Sequence, residues 1–172
     1  PNACSQCHLD KTFDWAADEL LGKFGIPRPD NLRELHGRYA VAPLWALGGD
    51  AGQRALVAWS MGWKPAQEAS GTEWMVPYLA QLLTDSYDAV RLIAHRSLCT
   101  IPSYESFSFD FLAPAITRQQ RAKEVLAKWT SQQGERKRTG RELLIEPDGS
   151  LRMKIWAQMY KARDNRPISL EE

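Results

Sequence analysis

The sequence predicts an all-α fold. Apolar residues recur at spacings of three and four over most of the chain, and no two segments alternate as paired strands would. Near the middle, two apolar helices are separated only by Asp85-Ser86-Tyr87, the spacing of an αα-hairpin. The 172 residues suffice for a core of ordinary size, and the formal charge of +1 comes from interleaved acids and bases. That pattern lacks the basic stripe of a nucleic-acid binder. No run of 18 apolar residues exists, so no membrane span is expected.

The chain opens on Pro1-Asn2-Ala3 and then Cys4-Ser5-Gln6-Cys7-His8, the C-x-x-C-H pattern of covalent c-type haem attachment. The chemistry requires this spacing. Two thiols one turn apart add across the two vinyl groups of one porphyrin edge, and the next residue supplies the proximal imidazole to the iron. Cys4 and Cys7 are therefore the expected thioether residues of a haem c, and His8 its proximal axial ligand. Two other readings of the cysteines stay open. One is half of a zinc site, although no second C-x-x-C or paired histidines follow; the other is a thioredoxin-like redox pair, although no βαβ pattern surrounds it. No signal peptide is visible at the start, whereas c-type haem is attached outside the cytoplasm. The expectation is a mature chain or the C-terminal part of a longer one.

The helices follow in order. Phe13, Ala16, Ala17, Leu20, Leu21 and Phe24 predict a helix over 14–24, capped by Thr12 and stopped by Gly25. Pro27 and Pro29 make a turn. Asp30 is then placed to cap a helix carrying Leu32, Leu35, His36 and Tyr39 and continuing through Val41 to Leu47, with Pro43 as a kink or a break. Gly48-Gly49-Asp50 ends that pattern before a short helix over 51–63. Helices over 72–84 and 88–100 form the hairpin. Val90, Arg91, Ala94 and Leu98 stand where a HEAT repeat has its core residues, and Gly52 to Ala58 looks like a degenerate earlier copy.

From Ile101 to Ala113, aromatic residues alternate with polar ones between Pro102 and Pro114, which predicts an extended segment laid over the helices. A charged helix over 116–133 turns Ala122, Val125, Leu126 and Trp129 inward. A basic loop over 134–140, a turn at Pro147-Asp148-Gly149, a last helix over 151–161 and a polar tail complete the chain. The expected organisation is a haem-binding segment and helical hairpin over 1–50, HEAT-like repeats with the aromatic segment over 51–113, and C-terminal helices and tail over 114–172. Most of the seven tryptophans are expected in the core.

These residues resemble multihaem c-type cytochromes whose last haem motif is followed by a HEAT-like helical domain. The resemblance rests on Pro1 to Thr12, on Arg54 to Trp63, on Asp85 to Leu98 and on the closing Arg163-Asp164-Asn165-Arg166-Pro167. It implies an exported, periplasmic electron-transfer protein with further haems upstream. Its partners would be redox proteins or those upstream haem domains. Only one C-x-x-C-H is present, so the further haems rest on the resemblance alone.

Two other histidines are candidates for the distal axial ligand. His36 is the first, because Gly37 beside it would let a flat macrocycle approach the backbone. Against it, an antiparallel hairpin would hold His36 at the turn, on the order of 15–17 Å from the haem motif. His95, on the flank of the 88–100 helix, is the second, with bonding to a backbone carbonyl as its competing role. A ligand from an upstream segment is the third possibility. Bis-imidazole ligation leaves no open position on the iron, so electron transfer is the expected function. The alternative is a multihaem oxidoreductase with a catalytic haem, its distal pocket lined by Asp10, Lys11 and Arg38 and its helical repeats serving as a docking scaffold. Cys99 is expected to be buried and inert, and Met61, Met75, Met153 and Met159 to pack in the core.

Overall fold

The structure is a computed structural model describing residues 3–132 and 139–166. It is 60% helical. The described residues contain no strand, only isolated bridges between Thr12 and Ala40, Gly140 and Ile145, and Ile145 and Leu151. The helices are α1 (Ala3–Cys7), α2 (Phe13–Phe24), α3 (Glu34–Arg38), α4 (Val41–Pro43), α5 (Ala51–Met61), α6 (Lys64–Ser70), α7 (Val76–Leu82), α8 (Asp88–Leu98), α9 (Ala115–Ser131) and α10 (Met153–Lys161). A π-helical turn, Leu44–Gly48, continues α4, and a 3₁₀ turn, Arg141–Leu143, follows α9.

Local chemistry explains most of these boundaries. Thr12 caps α2 by accepting the Trp15 N–H at 3.0 Å, and Gly25 ends it in the left-handed region at φ 65°. Asp50 and Gln53 form a reciprocal capping box at the start of α5. The tight turn at Asp85 joins α7 to α8, and Gly149 at φ 81° closes the turn after Pro147.

The helix expected from Asp30 through Leu47 is divided differently. Arg28 pairs with Asp14 at 3.1 Å and with Asp18, so the chain after α2 runs back along that helix, and α3 begins only at Glu34. The break then falls at Tyr39, in extended conformation (φ −125°, ψ 146°), rather than at Pro43. Ala40 and Val41 give their N–H groups to the carbonyls of Glu142 and Lys11, which pulls the backbone out of the helix. Pro43 sits in the first turn of α4, where a missing N–H costs nothing. Helix α6 was not foreseen: its polar stretch buries only Ala66 and Ser70. The basic loop lies almost wholly outside the described residues, as does the tail beyond Arg166.

The core lies among α5, α7, α8 and α9, closed on one side by the π-turn and α10. Trp74, Tyr78, Leu79, Leu82 and Leu83 are fully buried, and Tyr78 stacks on Trp156 at 4.6 Å. The aromatic segment lies across α8 and α9 as expected. Its Phe107 carbonyl bonds His95 Nε2 at 2.8 Å, and its Phe111 carbonyl accepts from Arg91 at 2.7 Å.

A buried ionic cluster ties the ends of these elements together. Asp85 accepts a two-pronged contact from Arg54 (2.8 and 3.1 Å) and a further bond from Arg163 (2.8 Å). Arg54 also reaches the carbonyls of Gly49 and Asp164, and Arg163 those of Leu47 and Ala46. All three side chains are buried, so their charges are costly unless paired, and each is paired. The cluster binds α5, the α7–α8 turn, the π-turn and the segment after α10 into one unit.

Candidate functional site

Helix α1 puts the two cysteines and the histidine on a single turn. The His8 N–H donates to the Cys4 carbonyl at 2.8 Å, which carries the helical geometry one residue past Cys7. Cys4 and Cys7 are unpaired thiols, each partly exposed. The His8 imidazole packs against the Trp15 indole of α2, with centroids 4.8 Å apart and planes inclined by 58°. Further along the same flank, Lys23 is held above its ordinary pKa by its hydrogen bond to Glu19 and by that carboxylate's charge, with a lesser contribution from Cys4. The contact between the motif and α2 runs through His8 and Trp15.

The motif is fastened from below by Ser70, at the end of α6. Its Oγ donates to the Cys7 carbonyl at 2.7 Å and accepts the Leu9 N–H at 2.9 Å. A single buried hydroxyl thus holds the backbone on both sides of His8. The Asp10 carboxylate, 6% exposed, lies 3.1 Å from the same hydroxyl and pairs with Lys11 at 3.5 Å. Leu9 is fully buried, and its carbonyl accepts the Ala42 N–H at 3.2 Å. The segment after the motif is thereby locked to the start of α4, and the imidazole is left partly exposed on a fixed backbone.

The remaining sequence candidates lie elsewhere. His36 packs edge-on against Phe13 at 5.1 Å, and its Nδ1 accepts the Arg33 N–H at 3.1 Å. Phe13 and Trp15 are two positions apart, which places them about 200° apart around the helix. His36 and His8 therefore stand on opposite flanks of the first turn of α2. The cap bond also fixes the tautomer: a backbone N–H can only donate, so Nδ1 is the acceptor and the proton resides on Nε2. Iron ligation through Nε2 requires the opposite arrangement. Gly37 does not face open space, because a Cβ there would collide with the Asp14 carboxylate. The space beside Gly37, expected to admit a macrocycle, is taken up by the end of the Asp14 side chain.

His95 has Phe107 and Phe109 as its ring neighbours, and its Nε2–H donates to the Phe107 carbonyl; its place is under the aromatic segment. Cys99 is partly buried there too, and burial pushes its thiol pKa up. Arg38 pairs with Glu34 on the exposed side of α3. Met61 and Met75 are core residues, as expected, whereas Met153 is exposed.

Sequence reasoning missed Trp15 and Ser70. Trp15 had a signal, being an aromatic residue off the apolar stripe of α2. Ser70 had none, since 61 residues separate it from Leu9 and only the fold brings them together.

No group of three or more His, Cys, Asp or Glu side chains among the described residues could cage a metal ion. Cys4, Cys7 and His8 place two thiols and one imidazole on one turn, the donors that two thioether anchors and one axial nitrogen would use. Comparisons with protein families, with curated proteins and with solved structures return no match.

Proposed function

We propose that the chain carries a haem c on Cys4 and Cys7, with His8 as its proximal ligand, and serves in electron transfer within an exported, periplasmic multihaem cytochrome. The observation that carries this reading is the single turn of α1, where two unpaired thiols and an imidazole share a backbone clamped by Ser70. When bound, the haem supplies a one-electron couple. The residues of this chain anchor its edge (Cys4, Cys7), hold one axial position (His8) and fix the orientation of that imidazole (Trp15 and the Ser70 clamp). Neither His36 nor His95 is assigned to this iron, because each is engaged on another face of the fold. The α5–α8 core, read as HEAT-like hairpins, would be the rigid wall on which the motif is mounted and against which a redox partner or a neighbouring haem domain packs.

The test is to reduce and reoxidise the purified protein and then extract it with acidified organic solvent. The proposal expects a reversible haem absorption change and colour that stays with the protein. Colour that partitions into the solvent, or no haem band at all, contradicts it.

A further inference from the structure

On the opposite flank of α2 from the cysteine motif lies a cavity of about 460 Å³, open to solvent. We propose that this cavity binds a small organic carboxylate carried on a flat apolar body, independently of the haem assignment. Its floor is aromatic: Phe13 and Trp45 meet there with centroids 5.9 Å apart and planes inclined by 53°. Its rim is made of donors.

Two of these are fixed by capping bonds. His36 spends Nδ1 on the Arg33 N–H, and Gln53 spends Oε1 on the Asp50 N–H, each at 3.1 Å. What each side chain offers to the cavity is then its N–H end, the Nε2–H of His36 and the amide NH₂ of Gln53. Arg33 and Asn31, both exposed, also line the cavity and add a cationic and an amide side chain to its residues. Of the carboxylates near in sequence, Asp50 accepts the Gln53 N–H at 2.8 Å, Asp14 pairs with Arg28 and Glu34 pairs with Arg38, while Asp30, exposed beside Asn31, is not among the lining residues. The opening is mostly polar, with an aromatic pair beneath it, so a small ligand would be oriented by a few placed donors. With a guanidinium and no lining carboxylate, the cavity selects an anion.

Calorimetric titration of the intact protein with sodium benzoate tests this, with inorganic phosphate as the bare-anion probe. The expected result is saturable one-to-one binding of benzoate with a Kd of about 1 mM or tighter, and phosphate at least about tenfold weaker. Gln53→Glu keeps an oxygen for the Asp50 cap while placing a negative charge on the rim. Arg33→Gln alters an exposed side chain that the fold does not need. Each should weaken benzoate about tenfold or more. The proposal is overturned by an absence of saturable benzoate binding, by phosphate binding as tightly as benzoate, or by benzoate affinity unchanged in both variants.

Discussion

Helices α2 and α7 show two ways of using an amphipathic sequence. In α7, six of seven residues are buried, and every neighbour is another helix of the core or the chain that crosses it. In α2, only Ala16 and Ala17 of twelve residues are buried, Phe24 is 72% exposed, and the chain from Leu21 to Asn31 lies on the surface. The first region is held by apolar contact and by the Asp85 cluster. The second is held by point attachments: the Thr12 cap, the Arg28 pairs and the Ser70 clamp. A segment fixed by a few directional bonds keeps its backbone geometry while leaving its side chains accessible. That is what a covalent attachment site requires, and it predicts that the two regions will respond differently to substitution.

The largest effect belongs to the core. Asp85→Ala leaves the Arg54 and Arg163 guanidiniums buried without their carboxylate, at a cost of about 3–5 kcal/mol in global stability. Urea unfolding followed by far-ultraviolet circular dichroism should show the midpoint falling sharply, and a midpoint within error of the parent would refute the role given to the cluster. Ser70→Ala is expected to act more locally. It strips a buried N–H and a carbonyl of their partner, costing roughly 1–3 kcal/mol. Hydrogen exchange at the Leu9 amide should accelerate by more than exchange in α7. Equal acceleration in both would mean that the haem-motif segment and the core unfold as one body.

His36→Ala sharpens the comparison inside the weaker region. It removes a cap on the flank of α2 away from His8, so the haem spectrum and spin state should be unchanged; conversion to high spin would place His36 on the iron after all. The smallest effect concerns the tail. The hydrogen bonds from Arg166 hold the Asp164 carboxyl down at about 2, below its ordinary 3.8. A depressed carboxylate pKa gives stability that is present above the ordinary value and lost as pH falls through the folded one. The Asp164–Arg166 contact should therefore persist at pH 5 and open between about pH 4 and 2. Chemical shifts of Arg166 across that window would follow it, and a midpoint near the ordinary value would remove the pairing.

Much of this arrangement was legible in the sequence because it depends on local chemistry. The limits of α2 follow from Thr12 and Gly25, the hairpin from the break at Asp85-Ser86-Tyr87, and the aromatic segment from bracketing prolines. The helix breaks at Tyr39 for a reason the local pattern did not contain: Ala40 and Val41 give their N–H groups to Glu142 and Lys11, one of them about a hundred residues away. Helix α6 was hidden because one of its two buried side chains is a serine. The cysteines and His8 were legible as a motif, whereas the clamp beneath them was not, since Ser70 matters only once α6 is folded against α1. A glycine beside a histidine likewise does not reveal which neighbour lies against it, here Asp14.

The most direct measurement is the denatured mass of the intact protein beside that of a Cys4→Ala, Cys7→Ala double variant produced in the same haem-loading host. Loss of one haem mass in the variant, with α-helical circular dichroism retained by the α5–α8 core, is the expected result. Equal haem content in the two proteins, or no haem on either, would contradict covalent attachment at α1 and with it the proposed electron-transfer role.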